Sequence, residues 1–162
     1  MAGWRKKVAT EPTAYQRALG LLVRREHSRK ELRRKLSAKG VEREDADLAL
    51  DKLDKQDFQN DARFAGALAR SRASSGYGPS RIRAELATHA LSRDDIAEAL
   101  EACDRDWEAS ARDIIARRYA NKDLADPALR RKAVDLLLRR GFEQKSAFAA
   151  VRSRPEGEDF AD

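Results

Sequence analysis

KELRRKL at residues 30–36, followed by the turn residues Gly40-Val41, is the stretch that decides the fold, because the sequence repeats its pattern twice. The three copies are centred on Leu36, Leu86 and Leu137. A period of about fifty residues is typical of stacked helical units, since one such unit cannot bury its apolar face alone. The repetition therefore predicts a chain of helical units with an extended surface, which suits binding better than catalysis.

Each repeat is predicted to contain three amphipathic helices, because apolar residues recur at steps of three and four. In the first repeat these positions are Tyr15, Ala18, Leu19 and Leu22, then Leu32 and Leu36, then Ala46, Ala49, Leu50 and Leu53. In the first helix of the second repeat they are Phe64, Ala67 and Leu68. Alanine and leucine dominate and no strand pattern appears, which favours helix. The predicted fold is all-α, a tandem array of three three-helix repeats that forms an elongated, curved helical chain.

The repeats are expected to have the boundaries 13–53, 54–103 and 104–152. Two tails fall outside this pattern and are expected to be mobile. The first is a basic N-terminal tail at residues 1–12, and the second is an acidic C-terminal tail at residues 153–162.

Several helix ends can be predicted from single residues. Ser28 and Glu31 have the spacing of a capping box, in which each side chain accepts the other residue's amide. Gly40 is suited to a left-handed helix stop. Gly78-Pro79 and Asp126-Pro127 place proline at a first helical position, where its missing N–H costs nothing.

Features typical of enzymes find little support in the sequence, so we expect no catalytic residues, no cofactor and no bound metal. The glycine-rich segment at residues 76–80 lacks the lysine and hydroxyl residue that end a phosphate-binding loop. The acids between Glu42 and Asp51 have the spacing of a solvated helix face. His27 and His89 are expected to cap helices locally, and Cys103 is expected to fill core space.

The charges are distributed unevenly along the chain. Residues 14–40 carry nine bases and two acids, whereas residues 41–57 carry three bases and seven acids. Arginine outnumbers lysine 24 to 10. Guanidinium groups bind phosphate or carboxylate through two parallel hydrogen bonds, which favours a recognition surface over a merely solvated one. The absence of a long apolar segment and of a signal-peptide core indicates no membrane contact and a cytoplasmic location.

Three blocks of this sequence resemble the RecX family of bacterial regulators of the RecA recombinase. The first is ALGLLVRREHSRKELRRKL at residues 18–36, and the third is LLRRGF at residues 137–142. The second runs from Asn60 to Leu86 and includes NDARFA and GPSRI. The resemblance spans residues 13–152. Ala90 stands where a glycine is more usual in the family, so that turn is expected to be less sharply defined.

The resemblance implies that the protein lies in the groove of a RecA filament on single-stranded DNA. It implies inhibition of RecA's ATP hydrolysis, strand exchange and promotion of repressor cleavage. A repeat array with charged ends needs no second copy, so we expect a monomer. Two alternatives stay open: direct DNA binding of the helix-turn-helix type, favoured by the basic sequence pI of about 9.7, and a helical adaptor for another protein assembly.

The residues predicted to contact the partner are mainly arginines of the three second helices and their neighbours. They are Arg24, Arg25, Lys30, Arg33, Arg34, Arg70, Arg72, Tyr77, Arg81, Arg83, Arg130, Arg131, Arg139 and Arg140. The first five are expected to form one patch and the last four a comparable one. Both patches are expected to be exposed, so that charge reversal at 33 and 34, or at 139 and 140, leaves folding almost intact.

Overall fold

The protein is an all-α helical repeat, which confirms the predicted fold class. The computed structural model describes residues 9–153, and within that range it contains nine α-helices and no strand. The helices are α1 Ala14–Leu22, α2 Arg29–Ala38, α3 Arg43–Lys55, α4 Asp61–Ser74, α5 Pro79–Ala87, α6 Arg93–Glu101, α7 Trp107–Arg118, α8 Pro127–Arg139 and α9 Gln144–Arg152. Among the described residues, none of these helices has the length and apolar character needed to cross a membrane.

The described chain divides into two compact units. The first ends at Phe64, inside α4, and the second begins at Ala65. The boundaries proposed above for three separate repeats stay a prediction. Most of the two predicted tails, residues 1–8 and 154–162, lies outside the described residues.

The first unit is built on a small core in which α1 and α2 both pack on α3. Its fully buried residues are Ala18, Leu32, Leu36, Ala46, Leu50 and Leu53. The helix starts are well capped. Thr13 and Gln16 form a reciprocal capping box at α1, which sequence reasoning missed. Ser28 accepts the amide of Glu31 at 3.1 Å, which confirms that half of the box predicted for α2.

In the second unit, α7 and α8 pack on α9 around a core that includes Ile115, Leu137 and Phe142. The turn before α5 meets the turn before α9 through backbone hydrogen bonds. Gly78 N donates to Arg140 O at 2.7 Å, and Ser80 N donates to Gly141 O at 3.0 Å. A Cβ at Gly78 would lie 2.4 Å from the carbonyl carbon of Gly141. Only glycine permits this approach, which explains the Gly78-Pro79 start of α5.

The repeated positions have matching structures in the three copies. Leu36, Leu86 and Leu137 are all buried, as predicted. Gly40 and Gly141 have positive φ at the helix ends, and Ala90 adopts the same left-handed conformation with φ of 57°. The expectation of a less defined turn at Ala90 was therefore wrong. An alanine there carries the strain that glycine avoids, which costs about 1 kcal/mol.

The apolar face predicted for α4 was also wrong in part. Phe64 is buried, but Ala67 and Leu68 are only half-buried. The buried face instead follows Ala65, Ala69 and Ala73. Small residues alternate densely along this helix, so hydrophobicity alone does not distinguish one alanine stripe from the next.

Candidate partner-binding surfaces

Three of the predicted cations in the first unit project into solvent and form what we call the first basic surface: Arg24, Lys30 and Arg34. Arg24 follows the end of α1, whereas Lys30 and Arg34 lie one helical turn apart on α2. The Arg24 and Arg34 side chains form no ion pair with another described residue. Their donors are therefore available to an acidic or phosphate-bearing partner.

Two other members of the predicted patch form ion pairs within the first unit. Arg33 on α2 binds Asp47 on α3, with its Nε 2.9 Å from Asp47 Oδ1. Arg25 binds both oxygens of Glu31, at 3.2 and 2.5 Å. From the Arg33–Asp47 pair we expect reversal of Arg33 to lower stability, because a glutamate there would face Asp47. Arg33 and Asp47 are 14 residues apart, so the helical spacing within α2 could not reveal the pair.

His27 was predicted to be a local cap but is instead the centre of a buried polar cluster, with 2% of its surface exposed. Its Nδ1 lies 3.0 Å from the Arg25 carbonyl, and its Nε2 lies 3.3 Å from Lys35 Nζ. These neighbours assign Nδ1 as the protonated nitrogen and Nε2 as the acceptor. Burial is the main cause that lowers the pKa of His27 below its usual value of 6.5, so the neutral ring is favoured.

The same loop is bound to the first turn of α4. Arg63 Nε donates to Glu26 Oε1 at 2.5 Å, and the Asp61 carboxylate accepts the Arg29 amide at 2.9 Å. The hydrogen bond to Glu26 is the main cause that raises the pKa of Arg63. Gln59 is buried beside His27 and also binds Asp61. The conspicuous NDARF segment, quoted above as part of the resemblance, therefore includes residues with a structural role in the first unit.

The predicted residues of the second repeat also divide into some that contact other residues of the fold and some that are exposed. Arg72 on α4 binds Glu85 on α5 through two parallel hydrogen bonds, at 2.8 and 2.7 Å. This contact is the main cause that raises the pKa of Arg72 and lowers that of Glu85. Arg81 stacks on the Tyr77 ring at 4.5 Å and also donates to the Arg139 carbonyl at 3.3 Å. Arg70 and Arg83 are exposed.

The four arginines of α8 and its C-terminus do not form a single patch. At about 100° per residue, Arg131 and Arg139 lie on one side of the helix, and Arg130 and Arg140 lie on the other. Arg130 donates to the Leu124 carbonyl and borders a groove beside Phe148. Arg140 donates to the Gly76 carbonyl and lines a different cleft. Arg131 and Arg139 are exposed and define what we call the second basic surface.

Sequence reasoning did not select three further arginines that share the cleft of Arg140: Arg105, Arg117 and Arg118. The signal was present in the adjacent pair at 117 and 118, but the pattern of the repeat did not include it. The acids of α3 lie on a partly solvated face, as predicted. Two of them also form ion pairs with α2, since Asp51 binds Arg29 and Asp47 binds Arg33. Cys103 is half-buried, and burial is the main cause that raises the pKa of its thiol.

Two family models match this chain in the order of its repeats. "RecX, first three-helix domain" matches residues 14–53, and "RecX, second three-helix domain" matches residues 60–100. A regulatory protein RecX of Xanthomonas axonopodis pv. citri is 56% identical over 142 residues, which are 88% of each chain. The chain belongs to the RecX family. A regulatory protein RecX of Stenotrophomonas maltophilia is 53% identical over 94% of this chain and 93% of its own length.

Solved structures support the fold independently of sequence identity. A crystal structure of RecX from Lactobacillus salivarius has a TM-score of 0.70 to this chain, at 22% identity. The match covers 86% of this chain and 92% of that chain. The helical repeat is therefore shared between sequences that differ at most positions. The relatives at higher identity are named as regulatory proteins, which agrees with a regulatory role.

Proposed function

We propose that this protein regulates RecA by binding as a monomer to the RecA filament on single-stranded DNA, in the cytoplasm, and inhibiting its ATP hydrolysis, recombinase and coprotease activities. Membership of the RecX family supports this proposal, because regulation of RecA is what the family resemblance implies. The role is that of a binding protein rather than an enzyme.

The observation that carries the proposal is the position of the exposed cations. The first basic surface lies in the first unit and the second basic surface lies in the second unit. A ligand with repeated sites, such as a filament, is able to engage both surfaces at once. Two weak contacts on one chain then strengthen each other through effective concentration.

The acidic side of the chain favours a protein filament over bare DNA as the main partner. Asp45 and Glu44 are exposed on α3, next to acids that already bind arginines of α2. Such a face repels DNA phosphates but is compatible with a protein surface that carries both signs of charge. Direct DNA binding therefore remains the second candidate, supported by the two basic surfaces alone.

The test is DNA-dependent ATP hydrolysis by the RecA of the same organism, measured while the purified protein is titrated. Inhibition is expected, and it should persist when single-stranded DNA is raised into excess over RecA. Inhibition that disappears in excess DNA would mean that the protein only sequesters DNA, and no inhibition at any ratio would contradict the proposal. As a control, the protein without RecA should show no ATP turnover after repurification.

A further inference from the structure

A concave cleft in the second unit gathers four arginines and has no assigned role. It lies among the end of α4, α7 and the C-terminus of α8, and has a volume of about 590 Å³. The arginines on its wall are Arg105, Arg117, Arg118 and Arg140, and Asp113 is the only acid that the described residues contribute to it. The lining therefore carries a net charge of +3, four arginines against one aspartate. Such a concentration of positive charge in a concave site attracts anions.

Contacts within the second unit position three of these guanidinium groups. Arg140 Nη1 donates to the Gly76 carbonyl at 3.3 Å. Gly76 has φ of 84°, and a Cβ there would lie 2.6 Å from Arg140 Nη1. Glycine is thus favoured by the turn, and its lack of a Cβ leaves room for the Arg140 side chain. Arg105 Nε is held by Ser110 Oγ at 3.2 Å, and Arg117 pairs with Asp113 one turn away on α7.

Most of the hydrogen-bonding capacity of the cleft is unused. Each guanidinium has five N–H donors. Arg105 and Arg140 each donate one hydrogen bond to a described residue, and the Arg118 side chain has no ion pair within the described part of the chain. The buried Ile114 side chain forms part of the floor, and the exposed Ser74 hydroxyl lies at the rim. A partly apolar floor strengthens the attraction between the arginines and a bound anion.

We propose that this cleft is a binding site for phosphate groups. A carboxylate is planar and is satisfied by one guanidinium, whereas a phosphate presents oxygens in several directions. Arginines contributed by two different elements, α7 and the C-terminus of α8, match the second geometry. The volume suits a diphosphate or a nucleotide, since small-ligand sites measure about 300 to 1,000 Å³. Two sources supply this chemistry, a small polyphosphate and the backbone of a single-stranded nucleic acid.

The test is a titration of the full-length protein with inorganic pyrophosphate, followed by amide chemical shifts and by calorimetry. Shifts are expected at Ser74, Gly76 and Ser110, which border the cleft. The double variant Arg105→Ala/Arg118→Ala should bind pyrophosphate at least tenfold more weakly. Its fold should be retained, because both residues are exposed and neither forms an ion pair in the described structure. Arg112→Ala is the control for the loss of one positive charge, since Arg112 is exposed on α7, the helix that carries Arg118, and lies outside the cleft.

A parallel titration with a single-stranded oligothymidine identifies the source. If the oligonucleotide displaces pyrophosphate and is weakened by the same double variant, the natural phosphate comes from nucleic acid. If only pyrophosphate binds, the ligand is a small polyphosphate. Absence of shifts at the cleft with both probes, or equal weakening by Arg112→Ala, would overturn the proposal. Since RecA is absent from both titrations, the result is independent of the function proposed above.

Discussion

At the scale of single residues, the role of each arginine depends on whether an acid of another helix lies within its reach. Arg24 and Arg34 are exposed, whereas Arg33 and Arg72 form hydrogen bonds with acids of a neighbouring helix. The difference lies in acids that come from another helix, and no spacing rule within one helix shows them. His27 is a similar case, because its burial depends on Lys35 and Gln59 rather than on its neighbours in sequence.

The buried His27 makes stability depend on pH. Its pKa is lowered in the folded state, so the unfolded chain binds a proton that the folded protein does not. The contribution to stability is complete above the usual pKa of 6.5 and is lost as pH falls from there through the lower folded value. We expect the free energy of unfolding, measured with urea, to fall between about pH 7.5 and 5.5.

His27→Gln supplies the matched control for this prediction, because an amide is able to donate and accept hydrogen bonds without titrating. The variant should lose about 1 to 3 kcal/mol at neutral pH, since the buried partners of His27 are paired less well. Its stability should then vary less with pH than that of the wild type. A His27 ring that titrates at or above 6.5 by NMR would contradict the explanation.

At the scale of helices, the sequence predicted most elements and their caps, because these depend on local patterns. The starts of α5 and α8 follow from proline at the first helical position, and the end of α2 follows from Gly40. The face of α4 was not predictable, because its many alanines bury equally well in several rotations. The close contact between Gly78 and Gly141 was also missed, since it joins residues 63 positions apart.

The buried leucines of the repeats test whether each unit has its own stability. Leu36 belongs to the core of the first unit, and Leu137 belongs to the core that α7, α8 and α9 form in the second. Leu36→Ala and Leu137→Ala should each cost about 2 to 5 kcal/mol, because each leaves a cavity in a closely packed core. Hydrogen exchange should accelerate mainly in the unit that carries the substitution.

Each leucine variant serves as the experimental control for the other. Each should reproduce wild-type exchange rates in the core helices of the other unit. If both variants accelerate exchange equally over residues 9–153, the units unfold together and the modular interpretation of the repeat is wrong.

At the scale of the whole molecule, the sequence indicated the fold and the family, whereas the partner-binding residues stay a prediction. The repeat period and the three resembling blocks are properties of the chain as a whole, so one sequence was enough to read them. A binding surface depends on which charges remain after intramolecular pairing, and that requires the structure. The residues chosen for charge reversal therefore change from the pairs Arg33/Arg34 and Arg139/Arg140 to exposed arginines whose side chains form no ion pair among the described residues.

The last prediction concerns whether both units bind the filament at once. Arg24→Glu/Arg34→Glu alters the first basic surface, and Arg131→Glu/Arg139→Glu alters the second. Each double variant should raise the concentration needed for half-inhibition of RecA at least tenfold, about 1.4 kcal/mol. The quadruple variant should show about the product of the two losses, because distant sites on one chain contribute additively to binding. Lys55→Glu/Arg93→Glu is the control, with the same change in charge at exposed positions of α3 and α6. Unchanged inhibition by both double variants would show that these arginines are not part of the interface. An equal loss of inhibition in the control would show that the effect comes from net charge alone.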